Sequence, residues 1–208
     1  MRPKVIVNCA MSADGKIAGY DRRQTRISTP EDMERVKALR RSVDAIMVGV
    51  GTVVADDPHL TVKGLERDEN PVRVVIDSRG RTPDSAQVLG GRARTLIFHG
   101  EGCDRRWEGT ESFCCGADRV DLRRMLDILA EIGIGTLMVE GGGELIASLF
   151  DEGLVDEYNV FVGPLIIGGR SSPTPADGEG REGKDAIRLR FAGMEVLGEG
   201  VLLRYLRI

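Results

Sequence analysis

Apolar residues are distributed along this chain in two alternating rhythms. Short unbroken runs have the length and β-branched content of buried strands: Lys4-Val-Ile-Val-Asn8, Ala45-Ile-Met-Val48, Val72–Asp77, Thr95–His99 and Thr136-Leu-Met-Val139. Segments with apolar residues three and four apart lie between them and predict helices. Thr29-Pro30 reads as an N-cap followed by proline at the first helical position, and Glu31 and Asp32 suit the positive end of the helix dipole. Met33, Val36, Leu39 and Val43 then predict an apolar stripe. Asp121 predicts a second N-cap, with Leu122, Met125, Leu126, Leu129 and Ile132 on one face and Gly133 ending the helix.

Two later segments break the rhythm. Residues 163–185 form a Gly/Pro-rich loop, longer than the roughly 15 residues beyond which a loop is usually functional or disordered. The tail, Ile187–Leu197 and Val201–Leu206 around Gly198-Glu-Gly200, predicts an antiparallel hairpin. The fold class is therefore α/β: a mostly parallel sheet flanked by helices, closing on a C-terminal antiparallel hairpin. No repeat or low-complexity linker divides the 208 residues, which suffice for one large domain or two small ones.

Composition narrows the function. With 41% hydrophobic and 30% charged residues the chain has the balance of a soluble globular protein. No apolar run approaches the roughly 20 residues of a spanning helix, and the N-terminus enters a strand pattern directly with no signal-peptide core. These features lead to the expectation of a cytoplasmic protein with no membrane partner. A net charge of −4 argues against nucleic acid as partner, so an anionic ligand needs a local cluster of Arg, Lys and backbone N–H. Cys9, Cys103, Cys114 and Cys115 form no C-x-x-C pair, and His59 and His99 fall in no metal-ligand spacing, so no metal is expected and the thiols read as reduced.

Two strand-to-helix turns are the chain's most informative stretches: Gly49-Val-Gly-Thr-Val-Val-Ala-Asp-Asp-Pro-His-Leu-Thr-Val-Lys63 and Val139-Glu-Gly-Gly-Gly-Glu-Leu145. Each puts small residues where backbone N–H groups could meet a phosphate. Gly141, Gly142 and Gly143 suit a diphosphate, or simply a tight turn; they form no G-x-G-x-x-G fingerprint. Thr52 and Asp56, four apart, share a face of a short helix. Ser78-Arg-Gly-Arg81 ends a strand with a hydroxyl and two guanidiniums, either a phosphate-monoester grip or a solvated turn. Arg40 falls within the apolar stripe, as a snorkelling side chain or a cation at a cleft edge. Glu140 ends a buried strand, where a carboxylate is costly without partners.

Several of these strings together resemble the reductases of riboflavin biosynthesis, whose fold is dihydrofolate-reductase-like. The resemblance runs through Ser12-Ala-Asp-Gly-Lys-Ile-Ala18, Arg26-Ile-Ser-Thr-Pro30, Leu39-Arg40, the Gly49–Lys63 run, Pro71-Val-Arg-Val-Val-Ile-Asp-Ser-Arg79, Val139-Glu-Gly-Gly-Gly143, Gly153-Leu-Val-Asp-Glu157 and Leu197-Gly-Glu-Gly200. It is strongest to the stand-alone archaeal form. It implies residues 1–208 as a single reductase domain, with no zinc deaminase domain, since no H-x-E…P-C-x-x-C signature is present.

The same resemblance implies NADPH-dependent reduction, with NADH less favoured, of the ribosylamino side chain of a phosphorylated diaminopyrimidinone. Coenzyme would be held by Thr52, Asp56, Ser78, Arg79, Arg81, Gly141, Gly142, Gly143, Glu144 and Leu145, with Ser78 at the 2′-phosphate end. Substrate would meet Asn8, Arg40, Leu60, Lys63 and Glu140, Arg40 and Lys63 taking its 5′-phosphate. Lys63 stands where many relatives have Arg, which keeps the charge and loses the bidentate fork. Asn8 stands where bacterial members tend to have Lys, so no lysine acid is expected there. Ring opening of the ribosylamine gives a Schiff base with an electrophilic C1′, and the protein then needs positioning more than a nucleophile. Asp56 and Glu140 are the candidate catalytic groups. Family members are commonly dimers, through Val155–Val162 or the C-terminal hairpin. Rival readings are another pteridine or pyrimidine reductase of the dihydrofolate reductase type, and a non-catalytic nucleotide-binding protein. A P-loop kinase is weak, for no G-x-x-x-x-G-K-[ST] run exists.

Overall fold

The predicted strand runs all form strands, and they fall into two compact units. The structure is a computed structural model that describes residues 1–23 and 25–208. The first unit comprises Met1–Lys4 and Lys37–Met138, the second Val5–Val36 and Val139–Ile208.

In the first unit, strands β2 (Ala45–Gly49), β3 (Val72–Ile76), β4 (Thr95–His99) and β5 (Glu111–Cys114) pair in parallel in the order β5-β4-β3-β2. Parallel strands have both faces covered, so they read as unbroken apolar runs. All five residues of β4 are buried, as are four of the five in β2. Strand β5, half-exposed and with little apolar periodicity, was not legible in the sequence. Helix α2 (Val50–Asp56) starts directly after β2. Helix α3 (Leu122–Glu131) follows its predicted cap, for the Asp121 carboxylate accepts from the N–H groups of Arg123 and Arg124. Its buried Leu122, Met125, Leu126 and Leu129 contribute roughly 1.5–3 kcal/mol each to the core.

In the second unit, β1 (Lys4–Ser12) pairs in parallel with β7 (Glu157–Gly163). The hairpin β8 (Leu189–Leu197) and β9 (Gly200–Arg207) adds antiparallel strands in the order β1-β7-β9-β8. Strand β6 (Thr136–Gly141) leads into helix α4 (Gly143–Asp151). Val155, Val160 and Phe161 are buried within the chain and present little surface of their own to a second copy. The hairpin is another matter, because β8 is half-exposed to exposed along its whole length.

Helix α1 (Pro30–Arg41) departs from expectation. The Thr29 hydroxyl accepts from the Asp32 N–H at 3.3 Å, as a cap should. The predicted stripe, however, is not a buried face: Met33 is 45% exposed, Val36 and Leu39 are half-buried, and buried Val43 lies past the helix end. The one buried residue of α1 is Asp32, whose carboxylate receives Arg35 Nε at 2.8 Å. With so many charged positions, α1 has too little apolar surface for a continuous buried stripe.

The Gly/Pro-rich loop is tied to its surroundings in the second unit. Ala13 N donates to Leu165 O, Ile17 N to Pro173 O and Asp177 N to Gly143 O. Asp14 makes the strongest tie, accepting from the Ser12 hydroxyl at 2.5 Å and from the N–H groups of Ile167 at 3.1 Å and Gly168 at 2.7 Å. The Ser12 hydroxyl, with help from those amides, holds the Asp14 carboxyl down to about 2. A depressed carboxyl stabilises the fold fully above its unfolded value of roughly 4, and this contribution fades as pH falls toward the folded value. The side-chain carbon resonance of Asp14 is therefore expected to titrate near pH 2. Asp14→Asn should speed amide exchange at Ile167 and Gly168; a midpoint near 4 and unchanged exchange would refute the tie.

Candidate functional site

The parallel register of the first unit sets its chemistry at one sheet edge. Gly49 pairs with Ile76, so the segments following β2 and β3 leave the sheet on the same side. Thr52 and Asp56 are half-buried on α2, as the four-residue spacing predicts. A side chain at Gly51 would meet nothing within 4 Å, so the helix start beside Thr52 has open space above it. Ser78 follows β3 and is half-buried, with Arg79 and Arg81 exposed beyond it. The turn is built by buried Asp77, whose carboxylate accepts from the N–H groups of Arg81 and Thr82 and from the Thr82 hydroxyl. The Ser78 Oγ accepts from Val120 N at 3.1 Å, which leaves its hydroxyl hydrogen to donate to a ligand.

After α2 the backbone turns through left-handed positions at Asp57 (φ 42°) and Leu60 (φ 49°). Such non-glycine residues cost on the order of 1–3 kcal/mol and cluster at functional sites. Asp57 is clamped to Gln87, accepting from its N–H and, through the backbone carbonyl, from its side-chain amide, each at 2.7 Å. Beyond this turn lies a hollow of about 440 Å³ whose walls include Arg40, His59, Leu60, Lys63 and Arg92. Arg40 Nη1 donates to Thr61 O at 3.4 Å. Its position on a stripe that is not buried carries no weight; what places it is this hollow. Three predicted substrate residues, Arg40, Leu60 and Lys63, thus converge. Arg92, which sequence reasoning missed, joins them; its one signal was the Gly90-Gly91 pair ahead of it. A larger hollow of about 620 Å³, lined by Asp84–Gln87, Leu89, Gly90 and Arg106–Glu108, contains none of the predicted residues.

The second unit carries the rest. Gly142 caps α4 with φ 91° and no side-chain hydrogen bond, and the first intrahelical bond runs from Ile146 N to Gly142 O. The N–H groups of Gly143, Glu144 and Leu145 precede that bond and suit an anion. Gly143 also has an internal reason to be glycine, since a Cβ there would lie 2.5 Å from Thr174 O and 2.7 Å from Asp177 Oδ2. The Leu145 side chain is buried, so only its backbone can serve a ligand. Glu140 is half-buried near the end of β6 and engages a partner within the fold. Asn8 on β1 is 6% exposed, and its Oδ1 has no hydrogen-bond partner among the described residues; the same is true of Asn159, its register neighbour on β7. An orphaned buried acceptor costs about 1–3 kcal/mol, which a ligand N–H would relieve.

Burial keeps the thiol of Cys9 out of this chemistry. Cys9 is buried with its Sγ 3.7 Å from the Tyr158 hydroxyl, and burial pushes it up to about 12, so it holds its proton at neutral pH. Among the described residues no cluster of three His, Cys, Asp or Glu side chains could hold a metal, and no helix is long and apolar enough to cross a membrane.

Comparison with known proteins gives a consistent result. The family model described as the RibD C-terminal domain matches residues 3–203. The chain is 46% identical to the 2,5-diamino-6-ribosylamino-4(3H)-pyrimidinone 5′-phosphate reductase of Archaeoglobus fulgidus, covering 96% of each chain. It is also 46% identical to the protein of that name from Methanothermobacter thermautotrophicus, covering 99% of this chain and 98% of the relative. Among solved structures, a diaminohydroxyphosphoribosylaminopyrimidine deaminase/5-amino-6-(5-phosphoribosylamino)uracil reductase from Thermotoga maritima superposes with a TM-score of 0.85 at 26% identity. It covers all of this chain, which spans 57% of that longer one. The riboflavin biosynthesis reductase of Saccharomyces cerevisiae shares the fold, with a TM-score of 0.77 at 22% identity over 99% of this chain and 90% of its own. The dihydrofolate-reductase-like architecture expected from sequence is the one found.

Proposed function

The chain belongs to the RibD C-terminal domain family, and from that premise we propose that it is a cytoplasmic, NADPH-dependent reductase of riboflavin biosynthesis. Its substrate is 2,5-diamino-6-(ribosylamino)-4(3H)-pyrimidinone 5′-phosphate, whose ribosylamino side chain it converts to the ribitylamino form. Residues 1–208 act as one reductase domain. The observation that carries this reading is the near-full-length identity to archaeal relatives bearing that name.

The local geometry supports it. A phosphate monoester suits the hollow of Arg40 and Lys63, where cations face an open space. The orphaned Oδ1 of Asn8 offers an acceptor to the N–H donors of a diaminopyrimidine. The N–H groups that open α4 suit the coenzyme diphosphate, Thr52 and Asp56 its nicotinamide end, and Ser78, Arg79 and Arg81 its 2′-phosphate. When bound, the coenzyme supplies a hydride to C1′ of the opened sugar. The chain's part is to orient the imine and to stabilise its positive charge, a role for which Asp56 and Glu140 are the two candidates. Steady-state NADPH oxidation with this substrate and with its deaminated analogue tests the reading. Turnover of neither would overturn it, whereas dihydrofolate reduction would favour the rival.

We further propose a homodimer joined through β8. A bulge between Phe191 and Gly193 shifts the strand's alternation, so Phe191, Met194 and Val196 stand opposite Tyr205, Leu203 and Val201 and share one face. These three side chains are 55%, 65% and 67% exposed on an edge strand, an arrangement that monomers avoid. Met194→Glu with Val196→Glu should shift the sedimentation coefficient from dimer to monomer. An unmodified protein that sediments as a monomer would remove the proposal.

A further inference from the structure

The loop bearing Arg92 is fastened with unusual care. Arg73, the second residue of the otherwise apolar β3, is wholly buried, and its guanidinium donates to Gln87 O at 3.1 Å and to Gly90 O and Ala93 O at 2.5 Å each. A cation is a costly way to fill a core position; this one fixes the backbone on both sides of Arg92. Asn70, only 9% exposed, makes a second fastening. Its Oδ1 accepts from Val62 N at 2.8 Å, and its amide donates to Arg92 O at 3.3 Å, to Leu65 O and to Glu66 O. One buried side chain thereby sets the spacing between the Leu60–Lys63 wall of the hollow and the Arg92 wall.

The hollow has the charge of a dianion site. Arg40, Lys63 and Arg92 line it, and no acidic side chain does so among the described residues. A phosphate monoester carries nearly two negative charges at neutral pH, which complements a wall lined by three cations. We propose that Arg92 is a third phosphate-binding cation of this hollow, with Asn70 and Arg73 as positioning residues that hold it opposite Lys63. This rests on the reading of a phosphorylated substrate and adds the residues that enforce it. Arg92 supplies a planar fork where Lys63 provides only a point charge.

The test pairs kinetics with a titration that needs no turnover. Arg92→Ala, a change at an exposed residue, should raise KM for the phosphorylated substrate tenfold or more, with kcat and coenzyme KM nearly unchanged. Arg92→Lys should recover part of the loss. Asn70→Asp keeps the acceptor for Val62 N but removes the donors, and should raise KM in the same direction without changing coenzyme KM. Ribose 5-phosphate, titrated by calorimetry, should bind the unmodified protein and bind Arg92→Ala at least tenfold more weakly, while ribose should not distinguish the two. Equal ribose 5-phosphate affinity in both proteins, or no detectable affinity in either, would overturn the role of Arg92. Failure of the unmodified protein to reduce the pyrimidine would instead sink the functional reading, and the ribose 5-phosphate titration would still decide Arg92.

Discussion

Asp56→Asn and Glu140→Gln are expected to have unequal effects, with one lowering turnover about a hundredfold, the usual scale for losing acid–base assistance. Both carboxylates are half-buried, Asp56 at the end of α2 and Glu140 next to last in β6, and both engage partners in the fold. Each substitution keeps size and hydrogen-bonding capacity while removing the charge that would stabilise a cationic imine. The carboxylate that carries the chemistry should slow single-turnover hydride transfer at saturating ligands. The other should mainly weaken binding, of coenzyme for Asp56 or of substrate for Glu140. Near-normal transfer in both variants would mean that positioning alone drives the step, with solvent supplying the proton.

Coenzyme choice is the second large effect. Replacing Ser78, Arg79 and Arg81 together by Ala should erode the preference for NADPH over NADH by tenfold or more, because charge-assisted hydrogen bonds contribute roughly 1.5–3 kcal/mol each. The structure refines this expectation. Arg79 and Arg81 are exposed and can be removed without structural cost, whereas Ser78 Oγ also satisfies the N–H of buried Val120. The double arginine variant should therefore raise KM for NADPH with an unchanged melting temperature. Ser78→Ala should in addition lose on the order of 1 kcal/mol of stability, from the orphaned amide. Equal catalytic efficiency with the two coenzymes in the unmodified protein would remove the phosphate assignment from this turn.

Much of the scaffold was legible because it depends on neighbours in sequence. The apolar runs of β2, β3 and β4 state that both faces are covered, and Asp121 and Thr29 cap helices through bonds spanning two or three residues. Gly142 announces a positive φ for the same local reason. The α1 stripe misled because periodicity identifies a face without saying what will cover it; there the buried residue is Asp32. The β8 face was hidden by a bulge, which changes side-chain alternation by one residue and leaves no local mark beyond Gly193.

The candidate site divides along the same line. By itself the sequence determined which chemical groups exist and which short turns present them: Thr52 and Asp56 on one helix, Ser78 after a strand, free N–H groups at the start of α4. It carried a clue in Arg73, a charge inside the apolar run Val72–Ile76, but not its meaning. Only the tertiary structure decided that Arg40, Lys63 and Arg92, far apart in the chain, line one hollow, and that Asn70 and Arg73 hold its walls. The physical reason is that loop ends are brought together by long-range backbone hydrogen bonds to buried side chains, and these have no period in the sequence.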